Sequence, residues 1–288
     1  MRALFDLSDR FKLRLSGSDR LRFLNGQVTN DVRKANANLS MAACVLNVKG
    51  KMNGLVFITT TADDFFIDGD PELRETLAPR LERYVIADDV VMEDVTDHFS
   101  LFHVTGDSPP ALPNDGHWRR GKRFGIAGWD LAIESGRHDT VLQALSTQFS
   151  LCDPECTERF RIEQGISRWG RELTEQIIPV EANLEGETID YAKGCYIGQE
   201  IISRMKIAGQ MNKRLCGLVS LHNVALSPAM RLFATENGKE AGWITSATRS
   251  KSLGKEIALG YVKRGFNQRS TKLLAEQHPV DVVELPFL

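Results

Sequence analysis

The 288-residue chain has no apolar run approaching the ~18 residues that suggest a membrane-spanning helix. Its opening, MRALFDLSDRFKLRL, mixes both charge signs and lacks the greasy core of a secretory signal. It is also too acidic for a transit peptide, so the sequence reads as a cytoplasmic protein. Net charge is scarce, −2 at pH 7, which argues against wholesale binding to nucleic acid or an anionic membrane and leaves room for a local basic patch. Cysteine is scarce as well. Cys44, Cys152, Cys156, Cys195 and Cys216 are odd in number and irregular in spacing, which suits free thiols in a reducing compartment. There is no phosphate-binding P-loop and no Ser–His–Asp signature, and Gly121, Gly125 and Gly128 miss the dinucleotide spacing. Cys152 and Cys156 could share a helix face, but no close Cys or His pair completes a zinc site, and His98 and His103 lack ligand spacing; no metal site is expected.

The composition, 42% hydrophobic and 26% charged, is that of an ordinary folded protein. The length exceeds one typical domain of ~100–200 residues, which predicts two or three compact units. Strand-like runs fall at 12–15, 42–48, 55–60, 65–68, 90–95, 101–105 and 131–133. Ser18 can cap a short helix that buries Leu21 and Leu24 and stops near Asn25-Gly26. Asp70-Pro71 opens another, with Leu73, Leu77 and Leu81 in one apolar stripe. Residues 108–116 read as a loop, 140–149 as a helix, and Asp153-Pro154 as the start of one running toward Gly165. After about Ala208 the texture changes to short apolar runs separated by glycine and polar turns, which predicts an antiparallel β-barrel. The expected class is α+β, with a first region over 1–207 and a barrel over 208–288.

The stretch DYAKGCYIGQEIISRM (190–205) holds one cysteine between two glycines, beside Lys193 and just before a predicted helix. Free amides at a helix N-terminus and a neighbouring ammonium both lower a thiol pKa. Cys195 is therefore either a functional thiol or a small residue packed in a tight turn. Lys193, Arg204, Lys206, Lys213 and Arg214 against Asp190 and Glu200 make either a solvated face or a rim for an anionic ligand. Glu181, after a proline turn in IIPVEANLEG, is either a surface charge, as most glutamates are, or a carboxylate able to accept paired N–H groups from an aminopyrimidine edge. WRRGKRFG (118–125) has the look of a nucleic-acid loop, although a charged hairpin tip is the commoner explanation.

KGCYIGQE (193–200) resembles the signature of the YgfZ folate-binding proteins, whose mitochondrial relatives assist iron–sulfur cluster maturation. GSDRLRFLNGQVTNDV (17–32) is similar to that family's first helix and loop, and RIEQGISRWGRELTEQIIPVEANLE (161–185) to a segment shared with the glycine-cleavage T-protein. GWITSATRSKSLGKEIALGYVKR (242–264) resembles the barrel common to both, so the resemblance covers nearly the whole chain. It implies two α+β units around a central folate channel, followed by the barrel. It implies that Glu181 grips the pterin of tetrahydrofolate, that Cys195 is a reactive thiol with Lys193 beside it, and that Asn25, Thr29, Asn30 and Asp31 line the channel. Gln199 and Arg204 join the folate-binding candidates, Arg204 toward the anionic tail. The T-protein's Asp-Asp pair is replaced here by Asn53-Gly54, and an amide cannot move a proton as a carboxylate does. The implied function is a tetrahydrofolate-binding accessory factor for iron–sulfur cluster assembly or repair, acting on client enzymes that include tRNA-modifying ones, with no membrane and no direct nucleic-acid partner. The rivals are a folate-dependent aminomethyltransferase and an RNA-binding protein that uses Arg119–Arg123.

Overall fold

The computed structural model describes residues 2–111, 117–209 and 211–288. Residues 112–116 of the loop expected at 108–116, and Gln210 near the expected boundary, lie outside the described residues. The chain forms two compact units: 1–153 with 186–200, and 154–185 with 201–288.

The first unit carries β1 (Ala3–Asp6), β2 (Phe11–Ser16), α1 (Arg20–Gln27), β3 (Met41–Leu46), β4 (Met52–Thr60), β5 (Phe65–Gly69), α2 (Arg74–Glu82), β6 (Val91–Asp94), β7 (Phe99–Thr105), β8 (Arg119–Gly121), β9 (Gly128–Glu134), α3 (His138–Ser146) and β10 (Ser150–Leu151). They build two five-stranded sheets, ordered β10-β1-β7-β9-β8 and β3-β4-β5-β2-β6. The second is antiparallel throughout; the first is antiparallel except where β1 meets β10. In β4 the buried side chains of Met52, Val56 and Ile58 alternate with half-exposed ones, as the period of two requires. The Leu73, Leu77 and Leu81 stripe is buried as its spacing predicts. It sits close because the sheet offers glycine there: a Cβ on Gly54 would lie 3.2 Å from Leu73 Cδ1, and one on Gly69 3.0 Å from it. Each buried leucine contributes about 1.5–3 kcal/mol. On the other sheet, Val141 and Leu145 of α3 pack with Leu4, Phe102, Val104 and Leu131.

Charge is buried between these sheets. The Arg123 guanidinium donates to Asp130 on β9 and, through two nitrogens, to Asp68 on β5. Arg10 also donates to Asp68, and His103 pairs with Asp130. Two local expectations fail here. Ser18 does not cap α1, because its hydroxyl donates to Asp89 instead. Leu21 faces solvent at 44% exposed, while Phe23 and Leu24 turn inward.

The second unit opens with α4 (Pro154–Glu163) and ends in a closed antiparallel barrel. Short helices α5 (Glu185–Thr188) and α6 (Gln199–Ala208) flank the chain's passage through the 190s. The barrel strands are β11 (Lys213–Ser220), β12 (Arg231–Ala234), β13 (Glu240–Ser250), β14 (Lys255–Lys263), β15 (Lys272–Ala275) and β16 (His278–Val283), in the order β11-β14-β13-β12-β15-β16. Closure leaves no sheet edge to protect. Leu218, Ile244, Val262, Leu273 and Val280 fill the interior. Glu172, fully buried, fastens the preceding segment to the barrel: it accepts from Arg161, from the Arg168 amide and from the hydroxyls of Thr245 and Ser246.

Candidate functional site

In the first unit, residues 187–198 fold against the loop that leaves α1, and Lys193 is the fastener. Its ammonium donates to the carbonyls of Asn25, Val28 and Asn30, each at 2.7 Å. A lysine has three donors, so all of them are used there, and the Cys195 thiol takes none. The ammonium also lies over the Tyr196 ring, 5.1 Å from its centroid. Lys193 is buried, and burial pushes its pKa down to about 8.

The other loop candidates are bound into the same clamp. Thr29 Oγ1 donates to the Thr188 carbonyl at 2.6 Å and accepts from the Cys44 amide. The Asn30 side-chain amide donates to the carbonyls of Ala42 and Glu187. Asn25 Oδ1 accepts from the Val32 amide. Asp31 takes two bonds from the Arg33 guanidinium, which holds its carboxyl below the usual range. Asp190 is paired with Lys34. The structure therefore brings Asn25, Thr29, Asn30, Asp31 and Lys193 together as one hydrogen-bonded turn.

Cys195 stands on that turn as an exposed free thiol, four residues ahead of α6. The two glycines beside it differ. Gly198 has φ +84°, and a Cβ there would lie 2.7 Å from the Asn47 carbonyl oxygen, so the close approach it permits is to the β3–β4 hairpin. Gly194 faces open space. Gln199 begins α6 half-buried, and Arg204 lies exposed on it.

The cysteines differ from the expected five free thiols. Cys44, Cys195 and Cys216 are free, but Cys152 and Cys156 are disulfide-bonded. They stand four apart, where the Asp153-Pro154 bend starts α4, and a spacing so short gives no sign in the sequence beyond that of an incomplete zinc pair. Cys44 is sealed in the core beside Thr188, and burial pushes its thiol up to about 12.

In the second unit, Glu181 sits on a single turn, Pro179–Ala182, and is only 5% exposed. One carboxylate oxygen accepts from the Ile178 amide at 3.1 Å and the other from the Lys213 ammonium at 3.0 Å. Lys213 rests over the Tyr261 ring, whose hydroxyl donates to the Glu172 carbonyl. Sequence reasoning places Lys213 only on a cationic rim. Its partnership with Glu181 spans 32 residues and has no local signal.

Asn53 accepts from Arg80, whose other nitrogens donate to Gln27 and to the Leu46 carbonyl. In the 118–125 segment, Arg123 is buried against two aspartates and cannot meet a phosphate. Among the described residues, no helix is long and apolar enough to cross a membrane, and no group of three or more His, Cys, Asp or Glu side chains could hold a metal.

Comparison with known proteins gives this geometry its relatives. Residues 213–288 match the glycine cleavage T-protein C-terminal barrel domain. The crystal structure of aminomethyltransferase T of the glycine cleavage system from Bartonella henselae superposes with a TM-score of 0.88 at 18% identity, covering 100% of this chain and 86% of that one. The tRNA-modifying protein YgfZ of Photobacterium profundum is 25% identical over 96% of this chain and 88% of its own length. A mitochondrial iron–sulfur cluster assembly factor homologue from Dictyostelium discoideum is 24% identical over 74% of this chain and 61% of its own. The fold is that of the T-protein, and over nearly its whole length the chain is similar to YgfZ proteins and to aminomethyltransferases.

Proposed function

We propose that the protein binds tetrahydrofolate through Glu181 and serves iron–sulfur cluster assembly or repair in the cytoplasm, supporting tRNA modification through iron–sulfur client enzymes. The observation that carries the folate reading is the Glu181 carboxylate: nearly buried, fixed by one amide and one ammonium, and with acceptor capacity remaining on both oxygens. That donor set fits an aminopyrimidine edge, and the bound folate would supply a reduced pterin able to carry a one-carbon unit. The assembly role is supported by what the YgfZ and iron–sulfur relatives are named for, and by the accessible thiol of Cys195, which a client protein could reach. Asn53, bonded to Arg80, supplies no carboxylate for aminomethyl transfer, which favours this reading over a T-protein activity.

Titration calorimetry with tetrahydrofolate tests the first part. Binding is expected, and Glu181→Ala weakens it by about 1.5–3 kcal/mol, the range for a hydrogen bond to a charged group. Absence of binding by the intact protein defeats the folate reading. Deletion of the protein should lower the activity of cluster-dependent enzymes, with rescue by wild type and not by Cys195→Ala; undiminished activity in the deletion strain defeats the assembly role.

A further inference from the structure

The Glu181 carboxylate meets only one cation among the described contacts. Glu181 Oε1 accepts from Lys213 and Oε2 from the Ile178 amide, so each oxygen keeps one acceptor position. Lys213 is itself held, packed above the Tyr261 ring at 5.6 Å from its centroid, and that ring is tethered through its hydroxyl to Glu172. The neighbouring cation, Arg214, is turned away toward Asn183 and Glu185. The titratable groups facing the carboxylate are therefore the Lys213 ammonium and the Tyr261 phenol.

The charge of this pair sums to zero, which bears on the ligand. A ring edge with two parallel N–H donors and no charge can use both remaining acceptor positions at no electrostatic cost. An amidinium or guanidinium edge offers the same two donors. Its positive charge, however, meets a carboxylate already neutralised and an ammonium 3.0 Å from that carboxylate. Like-charge juxtaposition in a desolvated site opposes binding.

We infer that Lys213 is a specificity-determining residue: by neutralising and orienting Glu181, it makes the site select an uncharged aminopyrimidinone edge over a cationic amidine-type edge. This inference rests on the folate reading of Glu181 and names the chemical class that site accepts. Lys213 acts through Glu181, so it is a positioning residue.

The test is calorimetry on the full chain with three probes: tetrahydrofolate, an uncharged tetrahydropterin and the cationic amidine benzamidine. Wild type should bind the first two and show benzamidine binding weaker by about tenfold or more, the scale of one misplaced charge. In Lys213→Met, affinity for tetrahydrofolate should fall about tenfold, because the carboxylate loses the ammonium that neutralises and orients it. Benzamidine binding should strengthen in the same variant. Lys213→Arg, which keeps the charge, should stay within about threefold of wild type. A Lys213→Met protein that binds all three probes as wild type does overturns the inference and leaves the folate reading standing. Wild type that binds neither folate nor pterin overturns both. Should the Met variant fail to fold, a Lys213→Arg protein with selectivity for the uncharged probe supports the inference, and one that has lost it overturns it.

Discussion

Two lysines, one in each unit, put the same ammonium to different uses. Lys193 donates three times, and every acceptor is a neutral main-chain carbonyl. Lys213 donates to a carboxylate. Among the described residues Lys193 has no opposite charge in contact; Asp31 and Asp190 act on it only at longer range, and burial outweighs them. It is a rivet between two stretches of chain more than 160 residues apart. Lys213 leaves the backbone to other groups and sets the charge of one side chain. For a buried or half-buried lysine, the acceptor reveals the role. Carbonyls mean architecture, and a carboxylate means tuning.

The largest expected effect breaks the rivet. Lys193→Met leaves three carbonyl oxygens without their donor, and each buried unsatisfied group costs about 1–3 kcal/mol. Urea unfolding should show a loss of about 3–5 kcal/mol, with Cys195 alkylated faster as its turn loosens. A loss under about 1 kcal/mol, the net worth of a single ordinary hydrogen bond, would show that the three bonds are replaced by water and that Lys193 is free for chemistry.

The pH dependence of that rivet has a definite sign. The unfolded lysine keeps its proton to about 10.4, whereas the folded one releases it near about 8. Between those values the unfolded chain binds more protons, so stability rises with pH in this window. Equivalently, this contribution is present above the unfolded pKa and is lost as pH falls through the folded one. The difference in unfolding free energy between wild type and Lys193→Met should grow by up to about 3 kcal/mol from about pH 8 to about pH 10.4. A flat difference would mean that the three carbonyl bonds to the charged form offset its burial.

Much of the fold was legible in the sequence, and the reason is periodicity. The Leu73, Leu77 and Leu81 stripe, the alternation in β4 and the short apolar runs of the barrel each report a local environment that repeats. Glu181, Lys193 and Cys195 could be singled out because proline and glycine punctuate their turns. Their partners could not. Lys193 finds its acceptors 163–168 residues away, and Ser18 is drawn from its expected cap by Asp89, 71 residues on. Arg123 reads as a surface cation until the fold stacks one sheet against the other and buries it between two aspartates. Long-range pairing leaves no mark at any single position, so residue types were visible while their employment was not.

Smaller effects sharpen the contrast within the Cys195 turn itself. Gly198→Ala places a methyl 2.7 Å from the Asn47 oxygen on a backbone at φ +84°, and should cost about 1–3 kcal/mol by thermal or urea unfolding. Gly194→Ala meets nothing within 4 Å and should change stability by less than about 0.5 kcal/mol. That near-zero value makes Gly194 the informative position. A methyl there disturbs no atom of this chain, so any effect on rescue of cluster-dependent enzymes must come from a molecule that approaches Cys195 from outside. If Gly194→Ala rescues as wild type does while Cys195→Ala fails, the thiol works without a close-fitting partner over Gly194. If both fail at full stability, the partner's contact surface includes the open side of this turn.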